Sequence, residues 1–506
     1  MSGSRIRLRY SGFILFLFRL LSVGTGLIFT LLVTRNIMLE EYGVYSNIGD
    51  TLSYFTLASA IIPFWVTRFT ARGRLDSPKT GLIINFLIAS ASAAAYLVAI
   101  PSILSMLQVS SGYLLTYSMG VFLIIENHVQ AILEAAFYPK SPETIAFGLL
   151  ALELSKVSLG FLFIICFRMG LIGVLFSLIA SYLVQILFYL RRIRREILGK
   201  IRWDYAKEWF KASLINIYGI IGGRILTLAN MLLFVYGGES ARAYYGASSA
   251  IASIVGYSSS LSFALYPKLL SEADPNDVSL SLKMVLIFAV PMCMGAIVLS
   301  ESLLLILNPL YAVAKPILIL LSLNAFFSAA SSVFDSIISG TERLDADEKI
   351  SYRKIVKSRL FLLQTLIYAQ AAVIVPLTYV ILAFGTVDAL AAAKYLALIN
   401  ALANLFVTVV KYFIALRCLK FDVAWVSLVK YLSASLVMSL ALYLTPTPAR
   451  LSMVVLKVLF GALIYFSLIL LIDNESRKML KTIKDFASKE ISRENRLKMD
   501  KHELEG

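Results

Sequence analysis

The sequence predicts an all-α protein that crosses a membrane many times, and three observations lead to that fold class. Of its 506 residues 59% are hydrophobic and only 15% charged, whereas soluble domains are about half apolar and about a quarter charged. The apolar residues gather into repeated runs of about 20, the length a helix needs to cross a hydrocarbon core about 30 Å thick. Those runs are continuous rather than alternating, so the backbone polar groups are satisfied within helices and not within a closed barrel.

Fourteen spans are expected, at 13–34, 44–66, 80–102, 113–136, 144–167, 170–190, 212–235, 243–266, 284–306, 316–339, 360–384, 389–415, 425–444 and 452–472. Arg5, Arg7 and Arg9 precede the first run as they would in a signal peptide. That run, Phe13 to Thr34, is too long for one and lacks a small-residue cleavage site, so it reads as a retained helix. The organisation that follows is a first lobe over 1–190, an amphipathic cytoplasmic connector over 191–211, a second lobe over 212–415, two further helices within 416–472, and a charged cytoplasmic tail over 473–506.

The net charge of +16 raises the question of nucleic acid, and the location of the charge answers it. With both termini cytoplasmic, 35 of the 47 Lys and Arg fall in inner segments, against five in outer loops: Arg35, Arg168, Arg242, Lys315 and Arg450. This is the positive-inside pattern of a multi-pass protein of the cytoplasmic membrane, so membrane lipids are the expected surroundings and nucleic acid is not a partner. Trp65, Trp203, Trp209 and Trp425 lie at or beyond inner helix ends, where amphipathic rings favour the headgroup level. In the connector, Ile197, Ile201, Tyr205 and Trp209 recur every four residues, which predicts either a helix on the inner leaflet or a solvated basic loop. Cys166, Cys293 and Cys418 stand apart on separate segments, so neither a disulfide framework nor a metal site is expected.

A duplication is visible. Glu41-Tyr42-Gly43-Val44-Tyr45-Ser46 recurs as Tyr244-Tyr245-Gly246-Ala247-Ser248-Ser249, and Pro63 is echoed by Pro267 at nearly the same offset. Copies of six helices each start on the same side, so the repeat is parallel, with an axis along the membrane normal. Rocking of two such lobes would give alternating access to a cavity between them, with the last two helices peripheral.

Ionisable side chains inside spans are costly and mark the candidate site. Arg224, halfway along the seventh span, is too deep to snorkel. Arg19 lies two turns into the first, where snorkelling is an equal explanation. Together they would make a cationic cavity able to hold a diphosphate, because guanidinium groups bind phosphate oxygens bidentately. Lys394 is a weaker candidate nearer the outer side. Asn400, Asn404 and Lys411 share one face of the twelfth span, and Asn324, Ser328, Ser331 and Asp335 one face of the tenth. These stripes suit either a hydrated cavity wall or hydrogen bonds between helices. Glu126, Asp50, Glu134 and Asp335 are the candidates for a coupling ion, H⁺ or Na⁺, with the protonatable Glu126 foremost. Glu153 and Lys156, three residues apart, read as a mutual ion pair.

The segment Leu32 to Ser46, LVTRNIMLEEYGVYS, resembles the first extracytoplasmic turn of polysaccharide-transport proteins, the O-antigen flippase branch of the multidrug/oligosaccharidyl-lipid/polysaccharide (MOP) exporter superfamily. Ala264 to Glu272, Gly170 to Gly173 and Ser339 to Glu342 are similar to that family as well, so the resemblance spans nearly the whole chain. It implies two lobes of six helices plus two more, a central cationic cavity, and translocation of a polyprenyl-linked oligosaccharide by alternating access, often with ion exchange. No cofactor is expected. Arg224 matches the kind of seventh-helix arginine those proteins place in the cavity. The charged stretch from Thr341 to Arg359 is longer than the family pattern.

Rival functions are a multidrug or metabolite antiporter of the same superfamily, a membrane glycosyltransferase, and a non-transporting scaffold. Outer loops of about ten residues or fewer offer no catalytic platform, so an enzyme is not expected. No GxxxxGK[ST] segment encodes ATP-driven export.

Overall fold

The computed structural model describes residues 21–477 apart from 23, 75, 194–198, 263–264, 272–273, 343–355, 357, 386–387, 424, 447–449 and 475–476. Among the described residues every regular element is helical. Residues 21–22 and 24–36 are helical and make up α1. They are followed by α2 (Leu39–Phe55), α3 (Ile61–Ala71), α4 (Ser77–Met106), α5 (Leu114–Phe137) and α6 (Pro142–Gly160), the last prolonged by a π turn over Phe161–Cys166. The chain continues through α7 (Gly170–Arg192), α8 (Trp203–Ala212), α9 (Leu214–Gly256), α10 (Leu265–Ser271), α11 (Pro275–Val298) and α12 (Ser300–Leu307). It ends with α13 (Lys315–Gly340), α14 (Arg359–Phe384), α15 (Ala389–Cys418), α16 (Trp425–Tyr443) and α17 (Leu451–Ile472).

Eleven of these stretches are long and apolar enough to cross a membrane on their own. The described part of α1, the broken pair α2 and α3, and a division of α9 at Gly238 account for the other three expected spans. Gly238, with φ 81° and ψ 177°, interrupts α9 and turns the chain there with no intervening loop. Only glycine adopts that conformation without strain. Several helices begin where a side chain meets the orphan amides of the first turn. The Ser358 hydroxyl accepts from the Phe361 amide at 3.1 Å and the Asp388 carboxylate from Ala391 at 2.6 Å.

The duplication recurs in three dimensions. In the first copy, α2 gives way to a 3₁₀ turn at Leu57–Ala60 and resumes as α3. In the second, the end of α9 gives way to a 3₁₀ turn at Tyr257–Ser262 and resumes as α10. Pro63 and Pro267 lie just beyond these breaks, close to the 203-residue spacing of the two Tyr-Gly motifs. The main-chain amide missing at each proline keeps the helix from running through unbroken.

The connector differs from one of its two expectations. Ile197 lies outside the described residues, and Ile201 precedes the helix instead of joining its apolar stripe. Trp209, expected at the headgroup level, is fully buried against Phe69 and Tyr205. The amides of Lys200 and Arg202 donate to Asp76 and Thr80 at the start of α4, at 2.9 and 3.0 Å. These bonds hold α8 onto the first six helices, so its apolar face finds protein before lipid. We expect Trp209→Ala to destabilise the protein by about 3–5 kcal/mol, read as a lowered melting temperature in detergent, with Trp203→Ala, whose ring is exposed, changing it little.

Candidate functional site

The two halves meet along α2 and α9, and the Tyr-Gly motifs lie in that seam. A Cβ on Gly43 would collide with the carbonyl oxygen of Glu239, and one on Gly246 would fall 2.8 Å from the Ser46 hydroxyl. Each copy thus uses its motif glycine to let the opposite half approach. Around this contact Tyr42 meets Tyr311 at 6.0 Å between ring centres, and Tyr311 meets Tyr244 at 6.3 Å. Arg35 Nε donates to the Ile306 carbonyl at 2.7 Å, and Asn308 Nδ2 to that of Thr34 at 3.1 Å. One apolar cluster joins Leu32, Val33 and Leu39 to Leu233, Leu304 and Leu318 across the seam. All of this closes the helix ends opposite those that carry the basic connector.

Immediately beneath the seam, Arg242 Nε reaches Asp50 Oδ2 at 2.7 Å, and Asn230 Nδ2 donates to Asp50 Oδ1 at 3.3 Å. Asp50 is 8% exposed and Arg242 7%. Arg242, expected in an outer loop, therefore lies buried within α9 and in contact with the other half. The chain reverses at Gly238 rather than several residues later, which draws Arg242 into the helix. An ion pair so enclosed is sustained by mutual neutralisation, because removing either partner strands a charge in a medium that solvates it poorly.

Below the pair lies a cavity of about 640 Å³ whose wall includes Asp50, Asn127, Tyr182, Asn230 and Arg242. Both halves contribute to it, with α2, α5 and α7 on one side and α9 on the other.

The remaining expected residues are distributed more widely. Arg19 lies outside the described residues. Arg224 is half-buried on α9, its Nε enclosed with no hydrogen-bond partner among the described residues, while its carbonyl accepts from Tyr54 at 3.0 Å. Glu126 is 8% exposed, and its Oε2 likewise has no hydrogen-bond partner among the described residues. Glu134 accepts from Gln130 Nε2 and from the Tyr189 hydroxyl, both at 3.1 Å. Asp335 and Lys411, expected in different roles, pair at 2.9 Å across α13 and α15. Asn400 donates to the Tyr245 hydroxyl at 3.0 Å and Asn404 to the Asn324 carbonyl at 3.0 Å, so these stripes form bonds between helices. Lys394 is exposed on α15. Glu153 and Lys156 pair at 2.7 Å, and Ser22 and Thr25 of α1 donate to the same carboxylate.

Sequence reasoning did not single out Arg242, Asn230, Tyr182 or Asn127. A signal existed for the first, since the equivalent position in the other copy is the apolar Leu39. A charge placed where its sister copy is apolar marks a contact that only one half makes. We expect Asp50→Ala, which leaves Arg242 buried and unpaired, to cost about 3–5 kcal/mol, and Asp50→Leu combined with Arg242→Met to recover most of that loss in thermal-shift measurements.

No family model matches the chain, and no curated protein matches it by sequence. Its fold matches solved structures. A structure described as lipid II flippase MurJ in an inward closed conformation superposes with a TM-score of 0.67 at 15% identity, covering 92% of this chain and 100% of that one. An inward-facing multidrug resistance MATE family transporter of the MOP superfamily gives 0.59 at 12% identity, covering 78% and 94%. A eukaryotic MATE transporter gives 0.54 at 14%, covering 81% and 98%. With its many apolar helices and the cavity between α2, α5, α7 and α9, the chain is a multi-pass membrane protein whose fold is that of the MurJ and MATE structures.

Proposed function

We propose that this protein is a flippase that moves a polyprenyl-(di)phosphate-linked oligosaccharide from the cytoplasmic to the outer leaflet by alternating access. The observation that carries the reading is the cavity between the halves, closed at one end by the glycine seam and the Asp50–Arg242 pair. Both termini and the basic connector face the cytoplasm, so the closed end is the outer one and the substrate enters from the side where such lipids are assembled. The first lobe over 1–190 and the second over 212–415 rock about the seam, the connector over 191–211 links them, and the helices within 416–472 remain peripheral.

Arg224 and Arg19 supply positive charge for the diphosphate, with Asn400, Asn404, Lys411 and Lys394 as further contacts from the second lobe. The two kinds of relative with this fold, a lipid II flippase and multidrug transporters, favour transport over catalysis. The LVTRNIMLEEYGVYS turn favours a saccharide-bearing lipid over other cargo.

A second reading, a cation-coupled multidrug or metabolite antiporter, draws support from Glu126, whose buried carboxylate oxygen lacks a partner. A carboxylate held this way takes up and releases a proton as its surroundings open and close. The flippase reading includes the same coupling, with Glu126 first and Asp50, Glu134 and Asp335 after it.

We expect wild-type protein in proteoliposomes to carry a polyprenyl-diphosphate oligosaccharide across the bilayer, and Arg224→Ala to slow it about tenfold or more, the scale of a lost charge-assisted phosphate contact. Ion-dependent drug uptake without lipid translocation decides for the antiporter. Equal rates in Arg224→Ala remove that residue from the site while leaving the function. Replacing Glu126 with Gln is expected to abolish any dependence of the rate on an imposed proton gradient, measured in the same vesicles.

A further inference from the structure

The first half holds a second cavity, of about 520 Å³, between α3, α5 and the start of α6. Its size falls within the roughly 300–1,000 Å³ of small-molecule sites. It adjoins the cavity between the halves at Asn127, which lines both. From there it runs toward the C-terminal end of α5, where Tyr138 caps the helix.

The chemistry of its wall is specific. Asn127, Gln130 and Glu134 lie along one side of α5, and Phe64 and Tyr138 stand at its edges, 41% and 58% exposed. The Gln130 amide donates to Glu134 Oε1, which also accepts from Tyr189, so amide and carboxylate are held in place before any ligand arrives. Asn127 makes no side-chain hydrogen bond and the Tyr138 ring no ring contact among the described residues, leaving both free for a ligand. The Arg68 guanidinium lies 5.4 Å from the centre of the Phe64 ring.

Each ligand class meets a different obstacle here. An anion faces the carboxylate of Glu134. An organic cation meets a single carboxylate already bonded by Gln130 and Tyr189, and a Phe64 ring beside which the Arg68 guanidinium already lies. A purely apolar ligand would cover two carboxamides and a carboxylate without satisfying them. A pyranose suits all three features: its C–H faces lie on aromatic rings, and its hydroxyls both donate and accept opposite amides and carboxylates. We propose that this cavity is a saccharide subsite, in which Tyr138 stacks on a neutral sugar and Asn127, Gln130 and Glu134 bond its hydroxyls. The proposal rests on the flippase reading and adds to it that the glycan is recognised within the first half, apart from the diphosphate.

The test uses full-length protein purified in detergent and two kinds of ligand: polyprenyl diphosphate alone, and polyprenyl diphosphate bearing glucose, galactose or N-acetylglucosamine. We expect one or more of the sugar-bearing lipids to bind wild type about tenfold tighter than the bare lipid. In Tyr138→Ala and in Gln130→Ala that ratio should fall to near unity, while Tyr138→Phe, which keeps the ring, preserves it. Tyr138 is exposed, so a folded variant is obtained and its melting temperature verifies this. Equal binding of bare and sugar-bearing lipids by wild type, or a ratio that survives both variants, overturns the subsite and leaves the flippase reading standing. Failure of wild type to bind either lipid, whether or not tetraphenylphosphonium binds in a manner lost in Glu134→Gln, overturns both.

Discussion

The seam between α2 and α9 is the constraint on which the rest of the molecule depends. Helices in a bilayer gain little by burying apolar side chains against one another, because lipid tails offer an equally apolar surface. Two bundles therefore hold together through close backbone approach and polar contacts. Here both are present: Gly43 admits the main chain of Glu239, and Asp50, about two turns further along α2, meets Arg242. The glycine contact is favourable only while the halves are closed together. The charge pair enforces that state, since parting it would leave two buried ions without partners. A ligand able to take over one of those charges would lower the cost of parting.

Much of the fold was legible in the sequence, and much of the site was not. Span positions follow from runs of apolar residues whose length is set by the bilayer, and the structure places helices on those runs throughout the described residues. The Tyr-Gly repeat was legible as a duplication, yet nothing local to it shows that the glycines face the opposite half. That is a property of two distant segments at once. Arg242 illustrates the difficulty. Its place depends on where Gly238 turns the chain, and a boundary a few residues later assigns it to a loop.

The polar stripes show a different kind of ambiguity. Asn324, Asn400 and Asn404 have the spacing of a hydrated wall and equally that of a helix zipper, and the structure bonds Asn404 to Asn324 across α15 and α13 and Asn400 to Tyr245 across α15 and α9. Lys411 and Asp335 were legible as intramembrane charges but not as partners, because their pairing crosses 76 residues. Arg224 and Glu126 keep enclosed polar atoms without hydrogen-bond partners among the described residues. Atoms of this kind signal readiness for a ligand or a proton more reliably than charge alone, and only coordinates reveal them.

The duplicated glycines carry one more consequence. Position 43 of one copy faces the second copy, and its counterpart at position 246 faces back, but onto Ser46 and not onto position 36, the counterpart of Glu239, so the contact departs from that of a two-fold homodimer. Fusing the two copies into one chain frees them to diverge. Asp50 has Ser253 as its counterpart, and Arg242 has Leu39. A symmetric dimer would have to carry the ion pair twice or omit it. The single chain carries it once, which gives the molecule a polarity that a symmetric pair would lack.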